Sequence, residues 1–309
     1  MLIHDILELG KDENIYLVEE SYSSLKNIPL SLHYLEGIHG NPPDGIAGVE
    51  DENGDIIALS FFNQEEGDIP GFRPVFTNLV SSIPGPNNSS LRFSEITGKL
   101  SLAGIYKTTR DEFNTALMEY YSRALVDRQL CENCITGNEP YGMVYFESRN
   151  LRLKELVGRF DLPGKMLEIC CGNGMSTLPL HDMGYNPVTI DIDKCQVCQG
   201  LEHHVLKPER TVVMDATRLS QFFPPVSFDT ITGFMLGTIY GFNKRIWEKM
   251  MHESVKLLKP GGIILLTVNR KEEVDILDDA LAGQVHGEII DNTDDMGIYD
   301  QWVYAGYKS

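Results

Sequence analysis

The C-terminal half of the sequence predicts an α/β fold, a mostly parallel sheet with helices on both faces, preceded by an N-terminal α+β module. Three observations carry this. From Pro163 onward, short apolar strand patterns alternate with helical ones, the order that builds βαβ units. A turn with two closely spaced glycines, Gly172 and Gly174, follows the first of those strands. The last two strand patterns are joined by the polar turn Asp291–Gly297 instead of a helix, which predicts an antiparallel terminal hairpin.

In the N-terminal module, Gly45–Glu50 and Asp55–Phe62 flank Asp51-Glu-Asn-Gly54, whose Asn-Gly tolerates the positive φ of a hairpin turn. Ser81–Ser90 has two prolines and no apolar period, which predicts a surface loop or linker. Thr109 and Glu112 form a capping box ahead of a helix in which Phe113, Leu117, Tyr120, Ala124 and Leu125 recur at helical spacing. A second helical stretch, Val144 to Phe160, leads into the glycine turn. Both helices suit either a cover over a site or plain packing.

Strands are then predicted at Lys165–Cys170, Val188–Asp191, Thr211–Met214, Asp229–Gly233 and Ile263–Val268, with the final pair near Val285–Ile290 and Gln301–Tyr307. An amphipathic helix, Arg245–Leu258, runs into Lys259-Pro-Gly-Gly262, where proline and glycine are expected to stop it. The expected division is a module at 1–108 that selects the substrate, a helical connector or lid at 109–160, and a ligand-binding domain at 161–309.

Composition excludes several function classes. A chain of 309 residues that is 42% hydrophobic and 23% charged reads as globular. Apolar runs such as Ile263–Val268 are too short to cross a bilayer, and the first residues lack a basic start and apolar run. The cytoplasm is therefore the expected compartment, with no membrane partner. A net charge of −19 repels phosphate backbones, so nucleic acid is disfavoured as a substrate.

Four features fall at the carboxyl ends of successive strands, where an open α/β sheet binds its ligand. Gly172 and Gly174 let a ligand approach the backbone closely. Glu168 ends strand one just before that turn. Asp191 closes strand two roughly twenty residues on, from where a carboxylate can hold two ribose hydroxyls. Asp215, followed by the small Ala216, closes strand three and can accept from an adenine amine. A dinucleotide site also pairs a glycine loop with an acid. Here, though, Gly172-Asn-Gly174 continues as Met-Ser-Thr177 without a third glycine, and Glu168 would face the phosphates.

Leu167-Glu-Ile-Cys-Cys-Gly-Asn-Gly174 resembles motif I of the class I S-adenosylmethionine-dependent methyltransferases. Thr189-Ile-Asp-Ile-Asp193 resembles their second motif, and Val213-Met-Asp-Ala216, Phe228-Asp-Thr-Ile231 and Leu258-Lys-Pro-Gly-Gly-Ile263 resemble those that follow. The resemblance implies a Rossmann-like three-layer sandwich with a seven-stranded sheet and a reversed last strand. Carried over by position, Glu168 and the backbone at Cys170 and Gly172 would meet the methionine part of S-adenosylmethionine, with Gly174 a further cofactor-binding position of the loop. Asp191 would bind its ribose, Ile192 would pack near adenine, and Asp215 and Ala216 would recognise the adenine edge. Gly233 and Phe234 would line the site near the sulfonium. Cys170 stands where the family often has glycine, which narrows the loop; its thiol reads as packing and not as a nucleophile.

On this resemblance, Tyr240, Asn269 and Arg270 follow strands four and five on the edge that meets a methyl acceptor. Tyr106, Tyr120, Tyr145 and Arg149 are further candidates to line it. Cys131-Glu-Asn-Cys134 and Cys195-Gln-Val-Cys198 offer the ligand set of a structural Zn²⁺ site, with His203 and His204 as substitutes for one pair. The function implied is methyl transfer from S-adenosylmethionine to a small molecule or protein side chain. The alternatives are a non-catalytic regulator that binds the same cofactor and a dinucleotide-dependent oxidoreductase.

Overall fold

The computed structural model describes residues 2–11, 13–40, 43–62, 72–83, 85–127, 147–294, 297 and 299–309, with backbone alone at 39 and 72. The chain divides into two compact units, Met1–Leu130 and Cys131–Ser309.

The first unit runs α1 (Ile3–Ile6), β1 (Asn14–Leu17), α2 (Pro29–Gly37), β2 (Gly45–Glu50), β3 (Ile56–Phe62), β4 (Phe72–Thr77), α3 (Asn88–Thr97), β5 (Gly104–Lys107) and α4 (Arg110–Val126). Its sheet has the order β1-β4-β3-β2-β5. The expected hairpin is β2–β3. Gly54 takes φ +84° at its turn, and the Asp51 carboxylate accepts from the amides of Asn53 and Asp55 at 2.9 Å each. The loop expected over Ser81–Ser90 is shorter than its composition suggests. Asn87 caps a helix by accepting from the Ser90 amide at 2.9 Å, so α3 begins inside it.

The Thr109–Glu112 capping box forms as expected and starts α4. α4 is tied into the first unit. The Tyr120 hydroxyl accepts from the Leu17 amide at 3.2 Å, the Tyr121 hydroxyl donates to the Glu19 carbonyl at 2.9 Å, and the Tyr22 hydroxyl donates to Asn114 at 2.6 Å. The stretch 109–160 is thus shared, with α4 in the first unit and the next described helix in the second.

The second unit runs α5 (Glu147–Val157), β6 (Met166–Ile169), α6 (Thr177–Asp182), β7 (Val188–Asp191), α7 (Lys194–Glu202), β8 (Thr211–Val213), β9 (Phe228–Gly233), α8 (Lys244–Leu257), β10 (Leu258–Val268), α9 (Lys271–Leu281), β11 (Val285–Asp291) and β12 (Trp302–Lys308). Its seven-stranded sheet has the order β11-β12-β10-β9-β6-β7-β8. The five strands from β8 to β10 run parallel to one another. β12 runs antiparallel between β10 and β11, so the terminal hairpin forms and supplies the reversed strand. Strand order reverses at β6, whose loop therefore opens into the crevice where such sheets bind ligands.

Lys259-Pro-Gly-Gly262 does end α8, but it belongs to the extended backbone of β10 and not to a separate turn. The register shifts between Leu258 and Ile263 to absorb it. Gly261 takes φ +72°, and a Cβ on Gly262 would lie 2.8 Å from the Asp229 carbonyl. Lys259 Nζ pins the same place by pairing with Asp229 at 2.9 Å. On one face of the sheet's central strands, Leu153, Leu156 and Val157 of α5 bury against Met166, Leu180 and Leu265. Among the described residues no helix is long and apolar enough to cross a membrane.

Candidate functional site

The loop from β6 to α6 turns sharply. Cys170, Gly172 and Gly174 have φ of +54°, +54° and +84°. The left-handed conformation costs a non-glycine residue about 1–2 kcal/mol, so Cys170 holds a strained position that glycine would fill freely. Its sulfur lies 3.7 Å from that of Met250. Burial, with the Asp191 and Glu168 carboxylates nearby, pushes its thiol up to about 12, which leaves it a packing group. A Cβ at Gly172 would meet Gln196 Oε1 at 2.8 Å, and one at Gly174 would meet Leu206 at 2.7 Å.

Asp191, at the end of β7, organises this loop. One carboxylate oxygen accepts from the Gly172 amide at 2.8 Å, and the other accepts from the Asp193 amide at 2.8 Å. Ile192 between them is 68% exposed, unusual for isoleucine. Asp215, after β8, accepts through one oxygen from the Thr217 amide at 2.8 Å, and Ala216 is buried behind it.

Glu168 is fully buried at the end of β6. Thr177 Oγ1 donates to its Oε2 at 2.7 Å, while Oε1 has no partner among the described residues. Burial raises this carboxyl to about 8, outweighing the Thr177 hydrogen bond and the nearby Arg149 charge.

Arg149 itself is held in place. Its Nε donates to Asp300 at 2.7 Å, its Nη2 to Ser176 at 2.9 Å, and its guanidinium lies 4.9 Å from the Tyr299 ring centroid. Asp300 is 3% exposed and also accepts from Thr267 Oγ1, which in turn accepts from the Met235 amide at 2.6 Å. One buried hydrogen-bonded chain therefore joins α5, the loop before α6, the ends of β9 and β10, and the start of β12. Sequence reading named Arg149 but missed Asp300, Thr267 and Ser176.

Gly233 closes β9, and Phe234 buries in the cluster with Leu153 and Leu180. Tyr240 is 44% exposed and stacks on Phe242 at 5.4 Å, with Phe242 86% exposed. The amides of Asn269 and Arg270 donate to Glu273 Oε2 at 3.2 and 2.9 Å. Glu273, also missed in the sequence, takes the Ile239 amide on its other oxygen at 3.1 Å and so links the two loops.

Cys195 is exposed and Cys198 buried, both reduced. No group of three or more His, Cys, Asp or Glu side chains is arranged for a metal among the described residues. Cys131, Cys134 and Tyr145 lie outside the described residues, so the expected four-thiol set is represented only by Cys195 and Cys198, with His203 and His204 forming no such group with them.

The sheet order, the reversed β12 and the glycine loop at the switch point define a Rossmann-like α/β unit. Residues 166–262 match the family described as a methyltransferase domain. A search of curated proteins found no match. Among solved structures, the N-methyltransferase NodS from Bradyrhizobium japonicum WM9 is 16% identical, over 52% of this chain and 94% of that one, with a TM-score of 0.41. A SAM-dependent methyltransferase from Archaeoglobus fulgidus is 13% identical over the same shares, with a TM-score of 0.41. An rRNA methylase from Streptococcus thermophilus is 14% identical over 52% and 94%, with a TM-score of 0.38.

Proposed function

We propose that the C-terminal unit binds S-adenosylmethionine along the carboxyl ends of β6, β7 and β8 and transfers its methyl group to a small molecule or protein side chain. The observation that carries this reading is the Asp191 carboxylate locked onto the Gly172 amide at 2.8 Å, beside the exposed Ile192. The surrounding residues fit that group. The two glycines leave room where a Cβ would collide, Ile192 offers an apolar face for adenine, and Glu168 Oε1 is a buried polar atom with no protein partner.

An ionised carboxylate has about four lone-pair sites, so Asp191 can keep its two amides and still accept from two ribose hydroxyls. Asp215 uses one oxygen on Thr217 and has the other for the adenine amine. Glu168 holds a proton at Oε1 below about pH 8 and meets the methionine part. The bound sulfonium supplies an electrophilic methyl group. The chain's own contribution is alignment and exclusion of water, for which proximity alone can supply about 7–11 kcal/mol at best. Tyr240, Asn269 and Arg270 are the residues proposed to meet the acceptor. The net charge of −19 favours an acceptor other than nucleic acid.

The test is incubation of the full chain with methyl-labelled S-adenosylmethionine and cell extract, followed by fractionation. Label in small molecules or protein supports the reading, and label in nucleic acid contradicts the acceptor class. No transfer despite cofactor binding points instead to a regulator.

A further inference from the structure

The C-x-x-C pair on α7 has no part in the methyl-transfer reading, yet its two cysteines stand one helical turn apart on the same side of the helix. Both cysteines lie within the first turns of the helix, Cys195 exposed and Cys198 buried. Helix geometry sets Cα atoms three residues apart at about 5 Å, inside the roughly 4.4–6.8 Å that a disulfide spans. Their Cβ atoms, about 5–6 Å apart in a regular helix, must close to about 3.8 Å. Joining them therefore tightens the turn by more than an ångström.

That turn is wired to the cofactor loop. Asp193 caps α7 by accepting from the amides of Cys195 at 3.0 Å and Gln196 at 3.2 Å. Asp191 accepts from the Asp193 amide and, on its other oxygen, from the Gly172 amide. Gln196, between the two cysteines, lies against Gly172. We propose that Cys195 and Cys198 are a redox-active dithiol that exchanges with a small-molecule disulfide, and that the disulfide so formed weakens binding at Asp191. The second half rests on the cofactor reading above.

The exchange balances with one disulfide of the glutathione class. The Cys195 thiolate attacks one sulfur of that disulfide, the S–S bond breaks, and one thiol leaves. Cys198 gives up its proton and attacks the Cys195 sulfur, which releases the second thiol and forms the Cys195–Cys198 bond. Two protein thiols are oxidised and one small disulfide is reduced to two thiols. Cys198 needs no solvent exposure, because its attack is intramolecular.

The experiment treats the reduced full-length chain with glutathione disulfide, alkylates remaining thiols, and maps the peptides by mass spectrometry. A Cys195–Cys198 link is expected in the unaltered chain. Cys198→Ser should stop with glutathione on Cys195, and Cys195→Ser should take up none at position 198. Alkylation of both cysteines after treatment, or a link from either to another cysteine, overturns the dithiol. Calorimetry with S-adenosylhomocysteine should then give an affinity about tenfold weaker for the oxidised chain, the scale of losing one helix cap, restored by reductant and unaltered by the oxidant in Cys195→Ser. Equal affinity with the disulfide present overturns the coupling. No binding even by the reduced chain overturns the cofactor reading and the coupling with it, while the peptide map still decides the dithiol.

Discussion

Replacing Glu168 by glutamine should remove a pH dependence from the stability of the C-terminal unit. The carboxyl is fully buried and releases its proton near pH 8 in the folded chain, against an ordinary value of 4.5. Below pH 4.5 folded and unfolded chains both carry the proton. Between 4.5 and 8 the folded chain keeps a proton that the unfolded chain releases, so stability falls as pH rises and levels off above about 8. At about 1.4 kcal/mol per pH unit, the loss across that window approaches about 5 kcal/mol as a ceiling. Glutamine keeps an oxygen for Thr177 and has no proton to lose. Urea unfolding at intervals between pH 5.5 and 8.5, followed by tryptophan fluorescence, isolates the right unit, because Trp247 and Trp302 are the two tryptophans of the chain. The unaltered chain should lose several kcal/mol relative to Glu168→Gln over that range. A difference independent of pH, or one that grows in favour of glutamate as pH rises, refutes the reasoning.

Two other predictions rest on the same corner of the unit. A cationic ligand group beside Glu168 favours its ionised form, so cofactor binding between pH 6 and 8 should release protons and tighten as pH rises; calorimetry in buffers of different ionisation enthalpy reads this directly. Arg149→Ala leaves Asp300 buried without its ion-pair partner and should cost about 3–5 kcal/mol. Replacing both residues by apolar ones of similar volume should cost less than either single change, as measured by a double-mutant cycle in urea.

The sequence made local features plain. The Asn53-Gly54 hairpin, the Thr109–Glu112 capping box, the glycine turn and the strand-end acids are each signalled by residues a few positions apart. Element boundaries failed where a side chain outside the periodic pattern decided them, as when Asn87 starts α3 inside an apparent loop. Pro260-Gly-Gly262 read as a stop and is also a strand bulge, because the contact that requires Gly262 comes from Asp229 on the neighbouring strand. The Arg149–Asp300–Thr267 chain was invisible for a related reason. Its members stand 151 and 33 positions apart, and only the return of β12 into the sheet brings them together. Cys170 announced a departure from glycine, but its positive φ is visible only in three dimensions.

The central claim is that Asp191 and the Gly172 loop hold S-adenosylmethionine, and titration of S-adenosylhomocysteine and NADH into the full chain and into Asp191→Ala tests it most directly. Loss of an interaction with a charged group is worth about 1.5–3 kcal/mol. The account therefore predicts saturable binding of S-adenosylhomocysteine that weakens by about tenfold to a hundredfold in the variant, with no binding of NADH. Binding of NADH alone, or S-adenosylhomocysteine binding unchanged by Asp191→Ala, would contradict it.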